Sequence, residues 1–208
     1  MWYGIALTTV GGLIALTTSR REGRVPYALA KALAAVGFVW VALAAGLPAS
    51  TASRLLVVGL VLSGIGDIAL AFTGRTAFLA GMGAFALTHV AYATAFAMRG
   101  VSLPWLAVVG VIISAASLSA WRWLRPHLPQ GMVRPLRAYI FLCSAMMALA
   151  WSSFAAGSYL TAALGATAFY LSDLAVARER FVTHSANDKL WGLPLYYLGQ
   201  TLIALSAR

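Results

Sequence analysis

The stretch at residues 55–72 reads LLVVGLVLSGIGDIALAF, which is long enough to cross the hydrocarbon core of a bilayer as a helix. It is apolar apart from Ser63 and a single acid, Asp67. An acid embedded in a membrane costs about 2.5–3.5 kcal/mol on insertion scales, so its presence there suggests a functional role. The stretch therefore predicts a transmembrane helix that carries part of a functional site.

Seven further apolar runs of similar length accompany this one along the chain. The eight predicted helices cover about residues 1–18, 27–47, 55–72, 78–98, 103–124, 135–154, 157–177 and 190–207. The runs are too long for strands and lack the alternation of a transmembrane barrel. The sequence therefore predicts an all-α fold, in which residues 1–208 form one polytopic membrane domain with eight transmembrane helices in one bundle.

The composition excludes several classes of soluble protein. The 208 residues are 62% hydrophobic and 10% charged, whereas a soluble domain is about half apolar and a quarter charged. This excludes a soluble globular enzyme, a disordered chain and a free nucleic-acid binder, and no protein partner is evident. The single cysteine, Cys143, forbids an intrachain disulfide and is interpreted as a packed helix residue.

The positive charges predict the orientation, because cytoplasmic loops carry an excess of Lys and Arg. One side of the membrane, with the odd-numbered loops and their flanks, has eleven: Arg20, Arg21, Arg24, Arg75, Arg122, Arg125, Arg134, Arg137, Arg178, Arg180 and Lys189. The other side has three: Arg54, Arg99 and Arg208. We therefore expect an integral membrane protein with both termini outside and the odd loops in the cytoplasm. The Lys-poor, Ala-rich composition favours a bacterial inner membrane.

Two acids lie inside apolar runs, Asp67 on the third predicted helix and Asp173 on the seventh. Each is five or six residues from the cytoplasmic end of its run, which is roughly 8–9 Å along a helix. Four further polar side chains lie at a similar depth: Lys31, Tyr139, Tyr196 and Tyr197. A shared depth predicts one polar cavity that opens to the cytoplasm. The alternative is that each acid makes a structural hydrogen bond between helices or a buried pair with Lys31.

The segments around the two acids are alike, with a Leu-Ser pair nearby and an apolar-Ala pair following each aspartate. Each acid lies on the third helix of a four-helix half. One interpretation is therefore a weak 4+4 parallel repeat of the kind found in transporters. Chance similarity between Ala- and Leu-rich segments explains the pattern equally well.

Other polar residues accompany the acids at helical spacing. Ser63 is one turn before Asp67, and Gly81, Phe85, His89 and Tyr92 form one stripe on the fourth helix. Aromatic stripes are usually packing, and a lone His89 is more often a helix–helix hydrogen bond than a catalyst. The other histidines, His127 and His184, fall in loops, so we predict no metal site. The alternative is a site formed by His89 with the two aspartates. No motif indicates a cofactor.

At these residues the chain resembles the YhhN family of membrane proteins, the lysoplasmalogenase family. The third and fourth helices match best, through the segments around Asp67 and His89. The seventh helix has the Ser-Asp segment, and the eighth has the Tyr-Tyr pair followed by Gln200. Two departures are Ala32, where the family commonly has proline, and Pro194 before the tyrosine pair.

The resemblance implies hydrolysis of the vinyl-ether bond of lysoplasmalogens, which yields a fatty aldehyde and a glycerophospho-alcohol. It implies that Asp67 and Asp173 are catalytic. The expected substrate-binding residues are Lys31, Ser63, His89, Tyr92, Arg137, Tyr139, Ser172, Tyr196, Tyr197 and Gln200. The expected partner is a lysophospholipid in the membrane, without cofactor or metal.

Two buried aspartates suit this chemistry. A protonated carboxyl adds a proton to the β-carbon of the vinyl ether, an ionised carboxylate activates water, and the hemiacetal collapses to the aldehyde. Which aspartate is acid and which is base stays open. We expect the head group near Lys31 and Arg137, and the alkenyl chain among the aromatics of the fourth and eighth helices.

The same aspartates also suit a different class of function. Intramembrane carboxylates relay protons or bind cations in transporters, so a small proton- or cation-coupled transporter is the alternative. A third hypothesis is a structural membrane protein whose polar residues hold helices together.

Overall fold

The computed structural model describes residues 1–19, 24–44, 46, 49–183 and 185–207, and this part of the chain is helical without strands. The eight α-helices are α1 Trp2–Thr18, α2 Arg24–Leu43, α3 Thr51–Ala69, α4 Arg75–Met98, α5 Leu103–Leu124, α6 Gln130–Ala155, α7 Leu160–Arg178 and α8 Lys189–Leu205. A π-helical turn, Glu179–Thr183, continues α7. The predicted all-α bundle of eight helices is confirmed.

Six helices, α2 to α7, are long and apolar enough to cross a membrane, and α1 is a shorter apolar helix. The α8 helix has 17 residues. Large apolar side chains such as Val58, Val61 and Ile65 are exposed on the outside of the bundle, as expected where lipid is the surrounding solvent. The chain is an integral membrane protein.

Several helix boundaries differ from the predicted ones for local reasons. The α3 helix begins earlier because Ser50 caps it, accepting a hydrogen bond from the Ser53 amide at 3.1 Å. The α6 helix begins at Gln130 rather than 135 because Met132 and Leu136 bury their side chains in a small core cluster. The α7 helix begins at Leu160 because Gly157 has a φ of 100°, which ends the preceding turn. The predicted end of the second helix, residue 47, lies outside the described residues.

Neighbouring helices pair along the chain, since each odd-numbered helix packs on the even-numbered helix that follows it. Small residues bring the backbones close: a Cβ added to Gly37 of α2 would lie 2.4 Å from the Thr8 nitrogen of α1. The α8 helix packs on α7 and also contacts α1, α2 and α3. It therefore lies beside both α3 and α7. This places the two helices that carry Asp67 and Asp173 around a common neighbour. No observation tests the 4+4 repeat, which stays a prediction.

Candidate active site

A cavity of about 920 Å³ lies inside the bundle, and both Asp67 and Asp173 line it. The wall between them includes Lys31, Tyr139 and Tyr196. The cavity extends to the first, third and seventh loops, where Ser19, Gly74, Glu179 and Lys189 line it. The two costly acids, which are far apart in sequence, therefore face one space at the end of the bundle that carries the odd-numbered loops.

The carboxylate of Asp67 is held by two donors. The Lys31 ammonium lies 2.7 Å from Oδ1 and also donates to the Asp67 backbone carbonyl at 3.0 Å. The Tyr197 hydroxyl donates to Oδ2 at 2.9 Å. Lys31 and Asp67 are 3% and 4% exposed, so this is a buried ion pair in which the positive charge stabilises the ionised carboxylate. One alternative from the sequence is that Asp67 forms a buried pair with Lys31, and the structure contains this pair.

The carboxyl of Asp173 has different neighbours. The Tyr139 hydroxyl donates to Oδ1 at 3.0 Å, and the Cys143 thiol donates to Oδ2 at 3.5 Å. His89 Nε2 lies 3.1 Å from Oδ2. The Asp173 side chain is 13% exposed, towards the cavity. Asp67 thus faces a lysine, whereas Asp173 faces a histidine.

The imidazole of His89 is fixed in orientation. Its ring stacks on Phe169 with centroids 4.6 Å apart and an interplanar angle of 15°. Its Nδ1 lies 2.6 Å from the Phe85 carbonyl oxygen. His89 is fully buried, and it contacts Asp173 and Tyr139, which line the cavity.

Sequence analysis did not connect Cys143 with the site. Cys143 lines the cavity and lies one helical turn after Tyr139 on α6, so both side chains point to Asp173. That four-residue spacing is the signal in the sequence that would have identified Cys143.

Two further polar pairs join α8 to the helices beside it. The Tyr196 hydroxyl shares a hydrogen bond of 2.7 Å with the Ser63 hydroxyl and donates to the Ser63 carbonyl at 3.0 Å. The Tyr92 hydroxyl donates to Gln200 Oε1 at 2.6 Å. Tyr196 lies within electrostatic range of both aspartates and lines the cavity. These bonds fix the rotation of α8 against α3 and α4.

The predicted site residues fall into three groups. Those that line the cavity are Lys31, Asp67, Tyr139, Ser172, Asp173 and Tyr196. Those that are buried outside its wall are Ser63, His89, Tyr92, Tyr197 and Gln200. Arg137 belongs to neither group, because its side chain is exposed. It precedes Tyr139 by two residues, which is about 200° around a helix, so it points away from the cavity. Arg137 therefore does not line the cavity, and its expected place beside the head group stays a prediction.

The apolar wall of the cavity includes aromatic residues of α4 and α8 and extends beyond them. Phe85 and Tyr196 line the cavity, and their ring centroids lie 5.8 Å apart, with the Tyr196 centroid 5.9 Å from that of Phe169. The apolar lining continues along α4, α5 and α6, through Phe78, Met82, Ala116, Ala120, Leu136 and Ile140. The two alanines are small, so they leave open space along α5.

Charged groups gather at the end of the cavity nearest the loops. Arg24, Arg180 and Lys189 line it there. The Arg180 guanidinium lies 4.8 Å from the centre of the Phe78 ring, and Lys189 Nζ lies 3.2 Å from Glu179 Oε1. Three cations thus line the mouth of the cavity, together with the acids Glu179 and Asp188.

One cluster has residue types that bind metal ions. Single ligand atoms of His89, Cys143 and Asp173 lie within 4.8 Å of one another. Metal binding requires a thiolate, whereas the Cys143 thiol is placed to donate its proton to Asp173, and Tyr139 donates to the other oxygen. We therefore interpret the cluster as a hydrogen-bonded one, and the expectation that no metal is required stays a prediction.

Comparison with known proteins decides the family. The model of the YhhN family matches residues 27–207, which is nearly the whole chain. The chain belongs to the YhhN family. The resemblance inferred from the segments around Asp67, His89 and Asp173 is thereby confirmed.

Curated relatives of this YhhN protein carry the name lysoplasmalogenase. Lysoplasmalogenase TMEM86A of Bos taurus is 32% identical over 169 residues, 76% of this chain and 66% of the relative. Lysoplasmalogenase TMEM86B of Mus musculus is 34% identical over 175 residues, 84% of this chain and 71% of the relative. The lysoplasmalogenase of Mycobacterium tuberculosis (strain CDC 1551 / Oshkosh) is 32% identical over 163 residues, 72% of this chain and 58% of the relative.

The YhhN chain is thus shorter than these relatives, and it spans 66% of the bovine protein's length. No solved structure matches it.

Proposed function

We propose that this chain is a lysoplasmalogenase, which hydrolyses the vinyl-ether bond of a lysoplasmalogen to a fatty aldehyde and a glycerophospho-alcohol. The observation that carries the proposal is that two membrane-embedded acids line one cavity with a cationic mouth and an apolar wall. Relatives named lysoplasmalogenases, 31–34% identical over most of the chain, support an enzyme of this kind.

The shape and charge of the cavity suit a lipid with one chain. Its volume of about 920 Å³ is within the usual range for a ligand site. Arg24, Arg180 and Lys189 suit a phosphate head group, since guanidinium and ammonium groups make charge-assisted hydrogen bonds to phosphate. We place the alkenyl chain along Ala116 and Ala120 of α5, so that the vinyl ether lies between head group and chain, beside the aspartates.

We propose acid–base catalysis by the two aspartates. A protonated carboxyl adds its proton to the β-carbon of the vinyl ether, which leaves an oxocarbenium ion. The second, ionised carboxylate stabilises that cation and accepts a proton from the attacking water. Asp67 suits the ionised role, because Lys31 and Tyr197 both donate to it.

An assay of the purified protein in detergent tests the proposal. We expect aldehyde release from a lysoplasmalogen and none from the matched lysolipid with a saturated ether, because only the vinyl ether accepts a proton at carbon. Removing the phosphate from the substrate should raise KM about tenfold or more, since a charge-assisted hydrogen bond contributes at least about 1.4 kcal/mol. A folded protein that releases no aldehyde but carries protons across vesicles would instead indicate the transporter alternative.

We further propose that the cavity opens to the cytoplasm and that both termini lie outside. The cavity reaches the first, third and seventh loops, which belong to the cation-rich side of the chain. In a bacterial inner membrane, a reporter at the C-terminus should therefore be active in the periplasm. A reporter that is active only in the cytoplasm would contradict this orientation.

A further inference from the structure

The tautomer of His89 follows from its Nδ1 contact. Nδ1 lies 2.6 Å from the Phe85 carbonyl oxygen, and a carbonyl oxygen only accepts hydrogen bonds. Nδ1 must therefore carry a hydrogen, because two acceptors at this distance would repel each other. The stacking of the ring on Phe169 keeps this orientation.

The other ring nitrogen, Nε2, then faces the carboxyl of Asp173. In a neutral imidazole with hydrogen on Nδ1, Nε2 presents a lone pair. It lies 3.1 Å from Asp173 Oδ2, and among the described residues it has no aligned hydrogen-bond partner. A lone pair facing an ionised carboxylate is unfavourable in a buried site, and one proton between the two atoms removes the conflict.

We propose that His89 and Asp173 share one proton and that this pair is the acid of the reaction, with Asp173 as the catalytic residue and His89 as a positioning residue. The inference rests on the proposed function and assigns the roles that two-aspartate catalysis leaves open. Asp67 has the opposite environment, because the Lys31 ammonium keeps it as an ionised carboxylate before the reaction, with no proton to add to the vinyl ether.

The assignment gives a balanced sequence of proton transfers. Asp173 delivers its proton to the β-carbon, where the π electrons of the double bond form the new C–H bond. Water adds to the oxocarbenium carbon and gives one proton to Asp67. As the hemiacetal collapses, its hydroxyl proton returns to Asp173, and the proton on Asp67 passes to the departing glycerol oxygen.

The groups that face Asp173 come from several helices. His89 is on α4, Tyr139 and Cys143 are on α6, and Tyr196 of α8 lies within electrostatic range. Tyr139 and Cys143 donate to Asp173 and so steady its position. Of these four groups, His89 is the one that presents a ring-nitrogen lone pair to Asp173, so it is the one placed to share the proton.

The pH profile of His89→Gln tests the role of His89. Glutamine can keep a hydrogen bond to Asp173 but cannot hold a proton. We therefore expect the alkaline limb of kcat/KM to move down by about one pH unit or more, with activity at low pH within about tenfold of the unmodified protein. Thr88→Val is the matched control, because buried Thr88 precedes His89 and hydrogen-bonds to the backbone carbonyls of Gly59 and Ala84. Thr88→Val should lower the rate by the same small factor at every pH, so that the pH profile keeps its shape.

A uniform loss of rate across pH in His89→Gln would overturn the proposal, since that is the behaviour of a purely structural residue. So would loss of activity with a chelator and recovery with Zn²⁺, which would make the cluster a metal site. We expect neither result.

Nitrogen NMR of labelled histidine tests the shared proton without any turnover. The chain has three histidines, so His89→Gln identifies the signal of His89. We expect its Nε2 resonance to show a shared or bound proton and to change in Asp173→Asn. A free lone pair that does not respond to Asp173→Asn would overturn the inference, even if the protein releases aldehyde. If the NMR response is as expected but no aldehyde is released, the proposed function is wrong, whereas the shared proton between His89 and Asp173 is supported.

Discussion

Replacing Asp173 with asparagine is expected to lower kcat for aldehyde release by about 10²- to 10⁴-fold, which is the usual contribution of a general acid. Asparagine keeps the shape of the side chain and can accept the Tyr139 hydrogen bond, but it has no proton to add to the vinyl ether. Because binding of the lipid uses the mouth and the apolar wall, KM should change little. The measurement is the initial rate of aldehyde release at saturating lysoplasmalogen.

A buried hydroxyl at the far end of α6 provides the control for this variant. Ser152 donates to the Ser102 carbonyl at 2.9 Å, so Ser152→Ala removes a buried hydrogen bond away from the cavity. It should cost about 1 kcal/mol of stability and leave the rate close to that of the unmodified protein. If Asp173→Asn keeps its rate as well as Ser152→Ala does, Asp173 is not the acid.

Replacing Lys31 with methionine is expected to lower the free energy of unfolding by about 3–5 kcal/mol, because it leaves a buried carboxylate without its cation. The expected Tm in detergent is therefore well below that of the unmodified protein. Activity should also fall, since Asp67 would lose the ammonium group that holds its carboxylate in position. Thermal unfolding and aldehyde release are measured on the same preparation.

The double variant Lys31→Met/Asp67→Asn separates the two interpretations of the ion pair. Both charges are removed, so most of the lost stability should return. Activity should not return, because asparagine cannot take a proton from water. A double variant that recovers both stability and activity would show that Asp67 only holds α3 to α2, as the structural alternative supposes.

The acids were identifiable from sequence because of where they lie. An acid within an apolar run is costly whatever surrounds it, so Asp67 and Asp173 stand out without knowledge of the fold. Their common depth also predicted a shared cavity, and both aspartates line one. The same reasoning overlooked Cys143, because a buried cysteine at a packed position has no such cost.

Side-chain direction was less predictable. Arg137 and Tyr139 are close in sequence, but Tyr139 reaches Asp173 whereas Arg137 is exposed. The apolar wall likewise extends to α5 and α6, beyond the aromatics of α4 and α8 that the sequence indicated. Which side chains face the cavity depends on the rotation of each helix about its axis.

Sequence alone determined that the chain is a bundle of membrane-spanning helices, because spanning a bilayer is a local property of length and hydrophobicity. It also identified the two acids that lie within apolar helices. Only the tertiary structure decided the partners, with Lys31 at Asp67 and His89 at Asp173. The physical reason is that a helix face turned towards lipid and a face turned towards another helix both have apolar surroundings. On α3, Leu60 is buried while Val61 beside it is exposed, so the hydrophobic pattern does not specify which face turns inward.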